Sequence, residues 1–313
     1  MASSIAGGTA ENDLYNQVID TLNSIFGSHA GYRPVHAKGV MCEGEFLASG
    51  DAALLTTAPH MQGNRIPLQV RFSNFSGVPG VRDGDPTASP RGMAIRFLLD
   101  DGSSTDIVAH SYNGFPSRDA HEFLSFLQAL AASGPGAPKP TQLDTFLANH
   151  PAAKRFVEAS KPAPRSFATE SYYAVDAFRF IDRDGHSHFG RYRIVPQAGE
   201  QHFDTNEAAK LQSDYLFNEL AARLKTEPAE FQLVVQLATE QDPIDDPTQA
   251  WPDTRQQRTL GTLTVTRIMA DSDSVQRSTS FDPARLPEGI EPGDPLIDVR
   301  SAIYAIAAQR QRK

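Results

Sequence analysis

The sequence lacks the features that mark several large classes of protein. It has a single cysteine, Cys42, in 313 residues, which excludes an internal disulfide framework and a cysteine-rich metal site. It has no run of 18 apolar residues, which excludes a membrane-spanning helix. Its net charge is −9 and it has no cluster of Lys and Arg, so nucleic acids and anionic membranes are poor partners.

The start of the chain also lacks the pattern of a signal peptide. Residues 1–8 have neither a basic head nor an apolar core. We therefore expect a cytoplasmic protein, or a periplasmic one if a leader was removed. Hydrophobic residues make up 40% of the chain, enough to bury the core of one large barrel-like domain.

The spacing of apolar residues predicts strands for much of the chain and helices in between. Residues alternate between apolar and polar in several short runs, as in half-buried antiparallel strands, and recur every three or four positions in others, as in helices. The predicted strands are 38–48, 67–74, 92–99, 174–182, 188–195, 231–238, 262–268 and a weaker 278–281. The predicted helices are 12–26, 123–132, 143–159, 207–225 and one that begins near 295. The sequence thus predicts an α+β fold, with one antiparallel β domain, helices in the middle and a C-terminal helix.

The last predicted helix carries an arginine and a tyrosine on one face. Asp294 and Pro295 are typical of a helix start, since Asp caps free backbone N–H groups and proline has no N–H to satisfy. Arg300 and Tyr304 are four residues apart, so the guanidinium reaches the phenol oxygen. A cation there favours the phenolate form, which is a metal ligand. Taken alone, a packed tyrosine and a solvated arginine are the simpler interpretation.

One of the nine histidines stands in an unusual setting. His36 lies in a stretch with hydrophobic neighbours between Gly31 and Gly39. By itself it fits a buried, hydrogen-bonded core histidine. No His-x₃-His pair and no cluster of carboxylates with histidine indicates zinc or non-haem iron.

Eight short motifs occur together, in one order, along residues 33–312. They are 33–39 (RPVHAKG), 70–73 (VRFS), 89–92 (SPRG), 106–110 (DIVAH), 118–120 (RDA), 246–252 (DPTQAWP), 281–283 with 289–292 (FDP and GIEP), and Arg300 with Tyr304. With these motifs the chain resembles the haem catalases, most closely the short catalase-related peroxidases that keep the catalase core without its C-terminal domain.

This resemblance implies a fold, a cofactor and a domain arrangement. The expected fold is a catalase-like antiparallel β-barrel with surrounding helices and a C-terminal helix on the proximal side of haem b. Residues 1–32 are expected to form an N-terminal helical arm, and residues 33–313 a single haem domain. The expected partners are hydrogen peroxide and small organic reductants, and a homodimer is a further expectation.

The resemblance also assigns roles to individual residues. Tyr304 matches the tyrosine whose phenolate binds haem iron, the axial ligand known for catalase. Arg300 matches the arginine that keeps this tyrosine ionised, and Asp294 matches an acidic partner of that arginine. His36 matches the distal histidine, which moves a proton between the two peroxide oxygens, and Ser73 matches the hydroxyl that fixes its tautomer.

Further residues match positions around the haem. Arg33 and Arg71 match arginines that pair with the haem propionates, where a planar guanidinium suits a carboxylate. Phe115 and Phe123 match aromatic residues near the haem, with Phe123 stacking on the ring.

The sequence departs from the family at three places. His110 stands where catalases have an asparagine that holds the peroxide during oxygen release, unless the loop shifts and Ser111 or Asn113 takes that place. The family's third propionate arginine aligns with Gln311, so we expect a neighbour to substitute, Arg310 before Arg312. Arg193 stands where larger catalases have a histidine near the proximal arginine.

His110 in place of asparagine is expected to weaken peroxide dismutation. The short segments before Arg33 and after the Tyr304 helix are expected to shield the haem less than in large catalases, so organic donors reach the haem edge. The resemblance therefore favours a peroxidase over an efficient catalase. The expected reaction reduces hydrogen peroxide, and organic hydroperoxides as a further class, with organic electron donors through a ferryl intermediate, and retains weak catalase activity. The alternatives are an efficient catalase, a rearrangement of fatty-acid hydroperoxides like that of allene oxide synthase, haem binding without turnover, and a β-barrel that binds a ligand without haem.

Overall fold

The fold is built on a closed antiparallel β-barrel, described here from a computed structural model that covers the backbone of residues 2–312 and the side chains of residues 11–312. Eight strands close the barrel in the order β7-β5-β4-β3-β2-β1-β9-β8, with β8 pairing back to β7, while β6 and β10 extend it from β7. The strands are β1 (Gly39–Ala48), β2 (Arg65–Ser73), β3 (Gly92–Leu98), β4 (Ser104–His110), β5 (Tyr172–Tyr173), β6 (Phe178–Ile181), β7 (Ser187–Pro196), β8 (Ala229–Leu237), β9 (Gln257–Ile268) and β10 (Ile290–Pro292).

Nine α-helices are present in residues 2–312. They are α1 (Ala2–Phe26), α2 (Ala52–Leu55), α3 (Ala120–Ala131), α4 (Gln142–Asn149), α5 (Pro151–Glu158), α6 (Thr205–Ala208), α7 (Tyr215–Arg223), α8 (Ser272–Ser278) and α9 (Leu296–Gln311). Within the described part of the chain, no helix is long and apolar enough to cross a membrane. The predicted α+β fold class is confirmed.

The barrel interior forms the main hydrophobic core. Alternate residues of each strand point inward, because successive side chains of a strand lie on opposite faces. Phe46, Phe72, Phe97 and Phe231 are fully buried there. Cys42 lies in the same core, and burial raises the pKa of its thiol to about 12, so it is an inert apolar side chain.

A second hydrophobic cluster outside the barrel joins α1, α3 and α9, with further contributions from α4 and α5. Leu14, Val18 and Leu22 of α1 pack with Leu124 and Leu127 of α3. Val299 and Ile303 of α9 and Phe123 of α3 pack against the same cluster. Helix α9 is thereby packed against α1 and α3.

Several predicted elements differ from the structure. The helix expected at 143–159 is two helices, because Pro151 cannot continue α4 and instead begins α5. The helix expected at 207–225 is interrupted because Asp83 binds the backbone of Ser213 and Leu216, which holds the connection between α6 and α7 in a turn.

Two further differences concern strands. The weak strand expected at 278–281 is wrong, because residues up to Ser278 belong to α8 and the carbonyls of Thr279 and Ser280 accept arginine side chains instead of a neighbouring strand. Strand β4 is an element that the apolar pattern did not predict.

Candidate active site

The candidate site begins with a row of residues across three neighbouring strands. Ser73 at the end of β2 pairs with Gly92 of β3, and Gly92 pairs with His110 at the end of β4. Paired residues of antiparallel strands share a face of the sheet, so the Ser73 and His110 side chains lie on one face with Gly92 between them. Their inward-facing neighbours Phe72, Met93 and Ala109 belong to the barrel core. The row therefore lies on the outer wall of the barrel.

His36 fills the space above Gly92. It precedes β1 and adopts φ 55°, the left-handed conformation that is uncommon outside glycine and often marks a functional residue. Its backbone N–H donates to Phe75 O at 2.7 Å, and its Nδ1 lies 3.0 Å from Ser73 Oγ. A Cβ atom at Gly92 would lie 2.7 Å from His36 Nδ1. The absence of a side chain at residue 92 is thus what allows the imidazole to reach Ser73.

The surroundings of His36 keep its ring neutral. Burial is the main reason that its pKa falls to about 3, and the positive charges of Arg71, Arg33 and Arg300 act in the same direction. A neutral imidazole that binds a hydroxyl through one nitrogen keeps the other nitrogen free to accept a proton.

His110 lies at the end of β4, on the same face of the sheet as Ser73. Its Nδ1 accepts the backbone N–H of Tyr112 at 3.3 Å, so in the neutral ring Nε2 carries the proton. Burial, with Arg300 and Lys161, lowers its pKa to about 3. Ser111 points elsewhere, since its Oγ accepts the backbone N–H of Arg91 at 2.9 Å.

Two guanidinium groups lie near His36 without a carboxylate partner, Arg71 buried and Arg33 partly buried. Arg71 is 4% exposed and donates to His36 O at 2.8 Å, while its Nε has no partner. Arg33 donates to Thr279 O at 2.5 Å, and burial lowers its pKa to about 10. Among the described residues neither forms a salt bridge with an acid. Buried cations without a counter-charge are costly, so this pair is suited to an anionic ligand.

Helix α9 places Arg300 and Tyr304 near His36 and His110, since the charge of Arg300 lowers the pKa of both histidines. The Arg300 Nη2 atom donates to the Tyr304 hydroxyl at 3.3 Å, as their spacing predicts. The Arg300 Nη1 atom pairs with Asp176, not with the expected Asp294. Asp294 instead caps α9, since its Oδ1 accepts the backbone N–H of Leu296 at 2.8 Å. The assignment of Asp294 as the direct partner of Arg300 is therefore corrected to Asp176.

Arg193 is also placed differently from the expectation. It donates to Gln236 and Asp253, at 2.9 Å in each case, and lies over the Tyr173 ring. The arginine whose charge acts on the acids next to Arg300 is Arg191, two residues earlier on β7.

Of the other predicted site residues, Phe115 and Phe123 lie together, whereas Arg310 lies against α1. The rings of Phe115 and Phe123 contact each other with centroids 5.3 Å apart, and Phe123 packs on the cluster that includes α9. Arg310, by contrast, donates to Asn16 and Asp20 of α1, each at 2.5 Å. The residue of α9 that shares a small cavity with Arg33 is Gln311, and Arg277 of α8 lines the same cavity.

The residues fit a haem group by their chemistry. The phenol oxygen of Tyr304 has Arg300 as its hydrogen-bond partner and keeps lone pairs for a metal. Arg33 and Arg71 supply uncompensated positive charge for two carboxylates, and Phe115 with Phe123 supplies an apolar surface. Phenolate, imidazole, guanidinium and aromatic groups together match an iron porphyrin better than a small polar ligand.

Sequence reasoning missed two residues of this arrangement. Gly92 was part of a motif but had no role, and only the register of β2 and β3 shows that it faces Ser73. Asp176 lies 124 residues before Arg300 and belongs to no motif above, so nothing in the spacing connected them.

Comparison with known proteins shows the family to which the chain belongs. The family model described as catalase matches residues 12–313. The chain is 38% identical over 298 residues to a catalase-related peroxidase of Mycolicibacterium paratuberculosis, covering 94% of this chain and 93% of the relative. It is 29% identical over 303 residues to a catalase-related peroxidase of Synechococcus elongatus, covering 95% and 88%.

The fold has solved counterparts. Catalase A of Saccharomyces cerevisiae superimposes with a TM-score of 0.80 at 20% identity, over 91% of this chain and 62% of the yeast chain. The protein is thus an α+β protein with a catalase-like barrel. The chain belongs to the catalase family, a family of haem oxidoreductases that act on hydrogen peroxide. The predicted family and enzyme class are confirmed.

Proposed function

We propose that this protein is a haem b peroxidase that reduces hydrogen peroxide with organic electron donors and has weak catalase activity. The observation that carries the proposal is the His36–Ser73 hydrogen bond together with the Arg300–Tyr304 pair, whose Arg300 is close enough for its charge to lower the pKa of His36. An acid–base pair has no purpose in passive haem binding, so its presence favours turnover. The names of the two catalase-related peroxidases support the same class of reaction.

The haem is held by residues 33–313, with residues 1–32 as an N-terminal arm. Tyr304 is the iron ligand, Arg33 and Arg71 pair with propionates, and Phe115 and Phe123 contact the ring. When bound, the haem supplies an iron centre that accepts two oxidising equivalents from peroxide. The proposal of haem b is supported by Cys42, because this buried residue cannot form the covalent links of a c-type haem.

His36 acts as the acid–base group in the reaction with peroxide. With its Nδ1–H donated to Ser73 Oγ, the neutral ring has a free lone pair on Nε2. Nε2 takes a proton from one oxygen of the incoming peroxide and returns it to the other, which leaves as water when the O–O bond breaks. The low pKa of His36 keeps the lone pair available at neutral pH.

His110 is the reason we propose weak dismutation. Its Nε2–H is a donor on the same face as Ser73, so it orients a peroxide molecule. An imidazole is bulkier than the amide of asparagine, which restricts how a second peroxide enters for oxygen release.

The third propionate contact is reassigned from Arg310. Arg310 is engaged by α1, whereas Arg277 lines the cavity that contains Arg33 and Gln311. We therefore include Arg277 as the third cation of the haem site.

Steady-state assays test the proposed function. Haem-loaded protein is given hydrogen peroxide, and oxidation of a phenolic dye is compared with oxygen evolution. We expect dye oxidation to dominate, and His36→Ala to slow the peroxide reaction by roughly 10²–10⁴-fold while the exposed control His121→Ala has no effect. Rapid oxygen evolution without dye oxidation would instead indicate a catalase, and full reactivity of His36→Ala would move the acid–base role to His110.

A further inference from the structure

The acid that contacts Arg300 comes from a loop, not from α9. Asp176 lies between β5 and β6 and is 1% exposed. Its Oδ2 pairs with Arg300 Nη1, and among the described residues its Oδ1 has no hydrogen-bond partner. Arg300 has 12% of its side chain exposed, so this ion pair is largely shielded from water.

The sheet fixes Asp176 in this place. Strand β10 pairs with β6 so that Pro292 lies opposite Phe178. The pairing continues past the strands, where the backbone N–H of Gly293 donates to Ala177 O at 2.9 Å. A Cβ atom at Gly293 would lie 2.8 Å from that same oxygen. The start of α9 is therefore held close to residue 176. This fixes the position at which the Arg300 side chain contacts the Asp176 carboxylate.

The neighbouring charges leave Asp176 as the main counter-charge of Arg300. The second acid, Asp294, has its pKa raised to about 7, first by burial and then by the charge of Asp176, so it is largely neutral in mildly acidic solution. The second cation, Arg191, bonds to the backbone carbonyls of Gln249, Pro243 and Asp246 and lies 4.3 Å above the Trp251 ring.

We propose that Asp176 is a positioning residue for the iron ligand: it holds the Arg300 guanidinium against Tyr304 and offsets its charge, which makes the Tyr304 oxygen a stronger electron donor. This inference rests on the proposed role of Tyr304 as iron ligand. An uncompensated Arg300 would draw electron density from the phenolate oxygen. Removal of the Asp176 charge should then favour the ferrous over the ferric state, that is, raise the reduction potential.

Spectroelectrochemistry of the haem-loaded full chain at pH 6 tests this inference. We expect Asp176→Asn, which keeps the shape of the side chain and removes its charge, to raise the ferric/ferrous midpoint potential and to shift the phenolate-to-iron absorption bands. Asp176→Glu, which restores the charge, should return the potential toward that of the wild type. The matched variant Asp294→Asn should change the potential less, because Asp294 is largely neutral at this pH.

The outcomes separate this inference from the proposed function. A wild-type potential in Asp176→Asn, or a larger shift in Asp294→Asn than in Asp176→Asn, would overturn the role of Asp176 and leave the haem site standing. A wild-type protein without a phenolate-ligated haem spectrum would overturn both. Asp176→Ser also removes the charge and replaces Asp176→Asn if the latter does not fold.

Discussion

The His36 imidazole packs so closely against Gly92 that no room is left for a Cβ atom at position 92. That Cβ would lie 2.7 Å from His36 Nδ1 and 2.6 Å from Ser73 Oγ, closer than real Cβ contacts allow. Strand β3 thus helps to place His36, because its residue 92 has no side chain. The His36–Ser73 bond depends on this packing.

The variant Gly92→Ala should therefore displace the imidazole and leave the haem ligand intact. We expect the reaction with peroxide to slow by roughly 10²-fold, the lower end of what a positioned acid–base group contributes, with an unchanged haem spectrum. Stopped-flow absorption measures both. Gly50→Ala is the control, because a Cβ at this exposed position meets no atom within 4 Å. An unchanged rate in Gly92→Ala would show that the reaction does not depend on the packing of His36 against Gly92.

His110 should govern the balance between the two reactions of peroxide. We expect His110→Asn to increase oxygen evolution relative to dye oxidation several-fold, because the amide is smaller than the imidazole and still orients a peroxide. An oxygen electrode and a dye assay on the same preparation give the ratio. If the ratio falls or stays constant, His110 does not limit dismutation.

His60 should make the fold sensitive to acid. It is 1% exposed, its Nδ1 lacks a partner among the described residues, and its ring lies 4.7 Å from that of Phe97. Burial lowers its pKa to about 3, so between pH 6.5 and 3 the unfolded chain binds a proton that the folded chain does not. Stability from this group is full above pH 6.5 and is lost as the pH falls toward 3.

Urea unfolding at two pH values measures this effect. The loss of unfolding free energy between pH 7 and pH 5 should be smaller by about 2 kcal/mol in His60→Leu than in the wild type. The same substitution at exposed His188 should leave the wild-type loss in place. Equal losses in His60→Leu and wild type would show that His60 is protonated in the folded chain.

The two arginines considered as the third propionate contact, Arg277 and Arg310, should differ in their effect on haem retention. Arg277→Leu should speed haem transfer to an acceptor apoprotein by roughly 5-fold, as for the loss of one solvent-facing ion pair. Arg310→Leu should leave haem transfer near the wild-type rate, because Arg310 pairs with Asp20 on α1. If haem transfer is faster in Arg310→Leu than in Arg277→Leu, then Arg310 is the third propionate contact.

The sequence was informative where a pattern is local. Helix α9 and the Arg300–Tyr304 contact follow from a helix start and a spacing of four residues, and the hairpin of β6 and β7 follows from its turn and two apolar runs. The motif order identified the family. These signals need no knowledge of which distant segments meet.

The remainder depended on tertiary contacts. The side chain of Asp83 interrupts a continuous helical pattern near residue 213, and the β6–β10 pairing carries α9 to Asp176. Arg310 and Gln311 are adjacent in sequence but face α1 and Gly31, respectively, a choice made by the packing of α9 on α1. An ungapped match of motifs does not contain this information.

The absorption spectrum of Tyr304→Phe, compared with that of the wild type after both are loaded with haem, tests the central claim most directly. Phenylalanine removes the ligand oxygen and keeps the ring, so the account predicts loss of haem or a strongly shifted Soret band and charge-transfer region, with wild-type circular dichroism. A Tyr304→Phe spectrum identical to that of the wild type would show that iron is bound elsewhere and would contradict the account.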